Sequence, residues 1–397
     1  MERPLSGVTV LDLGQIYMGG YAGMMLAYMG AEVLKIEPPH GDNIRSRTAD
    51  GKSPQFQFLN SNKNGLTLNL KKEEGRDALR DLAAEADVLI ENFASGTMDR
   101  LGVGYDELKE VNPELIYAHG SGYGDAGPYA EDPALDITIQ ARGGVMHTTG
   151  FPDGPPVKAG PAVCDFNTGA HLTIAVLSAL FMRERTGEGQ YIDVAMLDCT
   201  FPMLASPVAS YVLERDAPPR TGNQHSALDV APWNSYEVED GHIVIVCVSS
   251  RHWENLCDSI GRPELKDEPR FSDKLSRAEC RAEIDDMIAE WLEGRRRDPT
   301  VELLSGNGVP CGPVRTVEEI VDDPQLTSRG MLNYLPNQSE EGKAEMPVPG
   351  LPMEFSAADD FEVTPAPELG EHSETVLREF LGYTDEKIDR LRTEDVI

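Results

Sequence analysis

The chain has 397 residues, 40% of them hydrophobic, which is enough to bury a large core in two domains and too apolar for a disordered segment. Sixty-eight acidic residues oppose 35 basic ones, giving a formal net charge of −33 and arguing against a nucleic-acid partner, which wants a basic patch. Only 11 of the basic residues are Lys, and the acids are scattered along the chain. This reads as a halophilic surface, because molar salt shortens the Debye length to about 3 Å and screens the self-repulsion.

The N-terminal MERPLSGVTVLDL lacks the basic and apolar regions of a signal peptide. The longest apolar run, around residues 172–182, is too short and interrupted to span a bilayer. A cytoplasmic protein with no membrane partner is expected. The six cysteines lack close paired spacing and the eight histidines are dispersed, so neither a disulfide framework nor a metal site is expected.

In chain order, residues 8–13 (VTVLDL) read as a strand, 21–29 as a helix and 31–36 (AEVLKI) as a strand. Then come a strand at 66–70, a helix at 73–84, a strand at 88–91, a helix at 105–111 and a strand at 115–118. This βαβ rhythm predicts an α/β fold with a Rossmann-like parallel sheet, whose ligand lies beyond the carboxyl ends of the strands. Gln15, Asn92 and residues 119–124 all follow strands. Gly14, Gly19 and Gly20 permit close approach of backbone to a ligand at the first strand-to-helix turn.

A helix at 168–185 and a strand at 191–195 continue this domain. Residues 218–233 read as a loop. A smaller α/β domain follows, with a strand at 242–248 and helices at 253–260 and 278–292, ending near GVPCGPV (308–314). The proline-rich MPVPGLPMEF reads as extended chain rejoining the first domain. The expected division is 1–217 for the first part of the large domain, 218–325 for the small one and 326–397 for the return.

Asp165 is the leading catalytic candidate. Gly and Pro at positions 150, 152, 154–156 and 160–161 hold the preceding chain in a loop-like path. After it, Asn167 and Thr168 are placed to cap a helix of apolar periodicity. The positive helix end would keep the carboxylate ionised, and nearby free backbone N–H groups would stabilise an oxyanion. From spacing alone, Asp165 is either a helix cap or a nucleophile. Cys164 beside it reads as a small buried neighbour.

The stretch TTGFPDGPPVKAGPAVCDFNTGAHLTIAVLSAL (148–180) resembles the nucleophile segment of the family III CoA-transferases, which include formyl-CoA:oxalate and carnitine CoA-transferases. Further resemblance lies in LDLGQIYMGGYAGMMLAYMGAEVLKIEPPHGDNIR (11–45), NSNKNGLTLNLKKEEG (60–75), DVLIENFASGTMDRLG (87–102) and GSGYGDAGPYAEDPALDITIQARGG (120–144). TGEGQYIDVAMLD, GNQH, GVPCGPV and LGEH also look like family signatures. The resemblance implies that Asp165 forms the covalent intermediate and that Asp136 positions substrate. It implies CoA contacts from Tyr17, Leu68, Lys71, Asn92, Phe93 and Arg100. It also implies an interlocked homodimer, with coenzyme A thioesters as substrates and no permanently bound cofactor. Tyr17 stands where formyl-CoA transferase has a glutamine; Gln15 lies two residues away, a substrate-site candidate. Pro38 stands where that enzyme has an arginine, and its glycine-rich lid loop has no counterpart in 226–235.

Arg45, Arg47 and Arg142 are candidates to clamp a second carboxylate. The partners expected are an acyl-CoA, with succinyl-CoA as donor, and a C4–C5 dicarboxylic acid such as mesaconate. An intramolecular CoA-transferase, a 2-methylacyl-CoA racemase and a non-catalytic CoA-binding protein are the alternatives. Against the racemase, Leu135 occupies the position of that enzyme's histidine, and proton exchange needs a base on each side of the α-carbon.

Overall fold

A computed structural model describes residues 2–48, 53–213, 220–335, 346–359 and 362–397. Two compact units are present: Met1–Gly143, Gly160–Pro202 and Val321–Ile397 form the first, and Gly144–Ala159 with Met203–Ile320 form the second. Residues 144–159 and 203 onward thus fall in the second unit, where the sequence placed everything before 218 in the large domain. The expected boundary at 217/218 lies outside the described residues.

The first unit is built on six parallel strands: β1 (Thr9–Asp12), β2 (Glu32–Glu37), β3 (Asn64–Thr67), β4 (Val88–Glu91), β5 (Ile116–Ser121) and β6 (Gln190–Ala195). Their order is β3-β2-β1-β4-β5-β6. Alternate side chains feed two cores. Leu11, Leu13, Leu34 and Leu89 face one apolar layer, while Val10, Val33, Val88 and Ile90 face the other. The first layer is covered by α3 (Glu73–Glu85), the second by α1 (Met18–Tyr28) and α8 (Val163–Thr186). Between these lie α2 (Pro54–Asn60), α4 (Thr97–Leu101), α5 (Tyr105–Val111), α6 (Asp136–Arg142) and α7 (Val145–Thr148), the last in the second unit.

A helix α9 (Met196–Thr200) follows β6, and α10 (Ala205–Leu213) opens the next segment of the second unit. Helix α8 has 24 residues, and it and the stretch Met196–Leu213 are long and apolar enough to cross a membrane by length and composition. A core helix passes the same test of length and composition. The buried residues Leu172, Val176, Ala179 and Leu180 of α8 pack in the core beside the sheet.

The second unit holds an antiparallel sheet of β7 (Trp233–Val238), β8 (Gly241–Val246) and β9 (Cys311–Pro313). Where one helix was expected at 278–292 there are two, α12 (Lys274–Glu279) and α13 (Arg281–Leu292), preceded by α11 (Ser250–Ser259). In the first unit, the proline-rich return pairs as a hairpin, β10 (Leu332–Leu335) with β11 (Met346–Pro349).

The β1–α1 turn shows why glycine is required there. A Cβ on Gly14 would lie 2.6 Å from the Gly19 Cα, and one on Gly19 would lie 2.5 Å from the Gly14 Cα. The close approach seen here is between the two ends of the turn.

Candidate active site

The turn after β1 is held by side chains. Asp12 accepts the Gly14 N–H at 2.8 Å, Lys35 donates to the Gly14 carbonyl, and Asp42 accepts the Ile16 N–H at 3.3 Å. Asn92, just past β4, accepts the Gln15 N–H at 2.6 Å and donates to its carbonyl at 3.0 Å. Ile16 takes a left-handed φ of 59° within this framework. Asp12 is paired with Lys63 at 2.7 Å, both fully buried. Lys63 also donates to the Gly20 carbonyl and Asn60 at 3.0 and 2.8 Å. Burial lowers the Lys63 pKa to about 8 against the opposing pull of Asp12. Sequence reasoning missed this network. Its one signal was Lys35 inside the apolar run AEVLKI, in a chain with few lysines.

Beyond the strand ends lies a cleft of about 700 Å³. Gln15, Asn92, Phe93, Arg100, Asp136 and Asp165 all line it. Asn92 and Phe93 follow β4, and Arg100 projects from α4. Arg100 donates to Thr97 Oγ1 at 2.9 Å and has no carboxylate partner among the described residues.

Asp165 lies in the first turn of α8, which begins at Val163 rather than at the expected 168. Asn167 and Thr168 are therefore inside the helix and do not cap it; they bond the Cys199 and Cys164 carbonyls. Asp136, the first residue of α6, takes the capping role from 29 positions away. Its Oδ1 accepts the Cys164 and Asp165 N–H groups at 2.8 and 3.1 Å. Gln140 donates to its other oxygen at 2.5 Å. Free N–H groups near Asp165 were expected to serve an oxyanion; those of Cys164 and Asp165 are taken by Asp136.

The Asp165 carboxyl is raised to about 7, first by burial and then by the Asp136 charge. The sequence reading had the helix end keeping it ionised. The helix end's field is met by Asp136, and desolvation acts on Asp165 with no ion-pair partner among the described residues. A carboxylate so poorly solvated is a competent nucleophile near neutral pH. Cys164 is buried, accepts a hydrogen bond from Thr200 at 3.3 Å, and burial raises its thiol.

Several other candidates do not reach the cleft. Arg45 is buried, bonds both Glu37 oxygens at 2.8 Å and the Pro367 carbonyl at 2.8 Å, and stacks 3.5 Å over Phe56. Its guanidinium is engaged there rather than in the cleft. Arg142 is held by Asp132 at 2.8 Å over the rings of Tyr123 and Tyr129. Leu68 is 1% exposed in the first core, and Lys71 is exposed beside Asn69; neither lines the cleft. Tyr17 stacks on Phe166, next to Asp165, at 5.8 Å and receives a hydrogen bond from Arg47 at 2.6 Å. No histidine lines the cleft among the described residues, and Leu135, ahead of Asp136, is 62% exposed.

A parallel sheet with its cleft at the carboxyl edge and a carboxyl group inside it is the architecture of an α/β enzyme. The chain belongs to the family III CoA-transferases: the model of that family, CoA-transferase family III, matches residues 5–373. It is similar to the succinyl-CoA:mesaconate CoA-transferase of Haloarcula marismortui, at 38% identity over 98% of this chain and 99% of the relative. It is similar also to the formyl-CoA:oxalate CoA-transferase of Streptomyces coelicolor, at 35% identity over 100% of this chain and 99% of the relative. Among solved structures, a CAIB/BAIF family protein from Brucella suis matches with a TM-score of 0.84 and 37% identity, over 96% of this chain and 100% of that one. The chain is thus a CoA-transferase acting on carboxylates.

Proposed function

We propose that the enzyme moves CoA from succinyl-CoA to a C4–C5 dicarboxylate such as mesaconate, through an aspartyl-CoA thioester on Asp165. The observation that carries this is the Asp165 carboxyl, desolvated and lining the cleft with Asn92, Phe93 and Arg100. The named activity of the Haloarcula relative supports the choice of acids.

In the first step an Asp165 oxygen attacks the thioester carbonyl and CoA leaves as thiolate, giving a mixed anhydride. The thiolate attacks the aspartyl carbonyl, releasing succinate and leaving CoA on Asp165. The acceptor carboxylate attacks that thioester, and the released thiolate then attacks the acceptor's carbonyl, restoring Asp165. Retention of CoA in the cleft makes each recapture intramolecular, with effective molarity on the order of 10⁵ M or more. CoA thioesters enter as substrates and no resident cofactor takes part.

Within this reading Asn92 and Phe93 contact the pantetheine arm, Arg100 takes a phosphate as a guanidinium without an acid partner, and Gln15 faces the acyl group. Tyr17 acts through Phe166. Lys71 and Leu68 serve the adenosine end, Leu68 through its backbone because its side chain is buried. Asp136 orients Asp165 through the start of α8. The active form is a homodimer, supported by the exposed Ile174 and Phe181 of α8. The net charge of −33 supports a requirement for molar salt.

The test is product analysis in molar KCl. Succinyl-CoA plus mesaconate should give mesaconyl-CoA and succinate in equal amounts. Transfer to oxalate in preference to mesaconate contradicts the choice of acids. CoA movement within one acid, with no second acid consumed, favours the intramolecular alternative. Exchange of an α-proton without transfer favours the racemase.

A further inference from the structure

Behind the cleft wall the ends of β4, β5 and β6 carry a polar cluster, buried at Glu91 and His119 and exposed at Asp125, Tyr191 and Asp193, that the chemistry above does not use. Glu91 stands beside His119 and His119 beside Asp193 in the strand register. The His119 Nε2 faces the Phe93 carbonyl at 3.2 Å, with Glu91 Oε1 at 3.8 Å. Its Nδ1 faces Asp125 Oδ1 at 3.2 Å and the Tyr191 hydroxyl at 3.0 Å. Tyr191 donates its one proton to Asp125 at 2.5 Å, so it has none left for the ring. A carbonyl and a carboxylate only accept. With the Tyr191 proton directed to Asp125, both ring nitrogens face acceptors, and the geometry favours the imidazolium.

Burial raises the Glu91 carboxyl to about 7, against the pull of His119 and of two donors. Its two oxygens accept the Phe93 N–H at 2.7 Å and the Tyr117 hydroxyl at 3.3 Å, as a carboxylate does. Both main-chain polar groups of Phe93 are thus held by this pair, N–H by Glu91 and carbonyl by His119.

We propose that His119 is a positioning residue for the CoA substrate: bridging Glu91 and Asp125 as a cation, it fixes the Phe93 main chain and with it the cleft wall from Asn92 to Arg100. The cluster opens on a hollow of about 550 Å³ that shares Ser95 and Arg100 with the Asp165 cleft, so a shift of this segment alters both. Around the ring stand Glu91 from β4, Asp125 from the loop after β5, and Tyr191 and Asp193 from β6. Asp99 and Arg100 of α4 line the same hollow. Acids outnumber the single Arg100, and the Glu91 and Asp125 charges raise the imidazole pKa against its burial.

This inference rests on the acyl-CoA reading of the cleft. The experiment measures CoA binding by calorimetry, and KM and kcat for succinyl-CoA from pH 6 to 9, in the full-length enzyme and two variants. In the wild type KM rises on the alkaline side as the imidazolium is lost. His119→Gln should raise KM about tenfold at neutral pH, keep kcat within about twofold, and abolish the alkaline rise. Asp125→Asn, at a more exposed position, should leave KM at low pH unchanged and move the rise about one pH unit lower. A wild-type enzyme that binds CoA, with either folded variant keeping its KM and pH profile, overturns the inference. A wild-type enzyme that binds no CoA overturns the acyl-CoA reading itself, and this inference with it.

Discussion

Asp136 caps the helix that carries Asp165, accepting the Asp165 N–H at 3.1 Å and the Cys164 N–H at 2.8 Å. One carboxylate thereby orients another while its charge opposes the other's ionisation. Burial contributes more than the charge to lifting Asp165 to about 7. The pair places a carboxyl whose pKa is raised to about 7 beside a helix N-terminus whose first donors are already engaged.

Asp165→Asn should lower kcat by about a thousandfold or more while CoA still binds, because the covalent route is lost and the cleft is not. Calorimetry with CoA alongside turnover measures the two separately.

The same variant carries a stability expectation. The folded pKa of Asp165 lies above its unfolded value, so its contribution is fully present below the unfolded pKa and is lost as pH rises through about 7. Asp165→Asn should therefore be more stable than wild type at pH 8, by an amount on the order of a few kcal/mol, and gain little at pH 4. Denaturant unfolding at the two pH values, at one fixed KCl concentration, gives the difference.

Asp136→Asn keeps an oxygen for the two N–H groups and removes the charge. The acid limb of kcat/KM should move to lower pH, since Asp165 then ionises more easily. Asp136→Ala loses the cap as well and should cost about 1–2 kcal/mol of stability. An unmoved acid limb in Asp136→Asn assigns that limb to another group.

Lys63→Met leaves the Asp12 carboxylate buried without its cation. The loss should be about 3–5 kcal/mol, the cost of an uncompensated buried charge. A thermal melt in molar KCl measures it, and salt should not restore the loss, because solvent ions do not reach a fully buried site.

Much of the first unit was legible because its strands are buried on both faces and read as short apolar runs between helical patterns; VTVLDL, AEVLKI and VLIE mark β1, β2 and β4. The start of α8 was not. Its capping group comes from Asp136, which no local pattern announces, and Gly160 and Pro161 mask the first turn. In the second unit, β7 (WNSYEV) mixes polar and apolar residues just after a turn-rich stretch, and no strand was read there. The segments that build the cleft were found. The fate of each arginine was not, since Arg45 is claimed by Glu37 and Arg142 by Asp132 through contacts that only the folded chain makes.

A negative charge on the exposed face of α8 tests assembly. Phe181 is 68% exposed there, an unusual place for a large apolar ring. Light scattering in molar KCl should find two chains for the wild type and one for Phe181→Asp. A monomeric wild type contradicts the homodimer.

The most direct measurement is peptide mass spectrometry after mixing the enzyme with succinyl-CoA in molar KCl and quenching. The expected result is a CoA adduct on the peptide holding Asp165, absent in Asp165→Asn and discharged by mesaconate. An enzyme that turns over succinyl-CoA and mesaconate with no adduct at Asp165, or with the adduct on another residue, contradicts the aspartyl-CoA route.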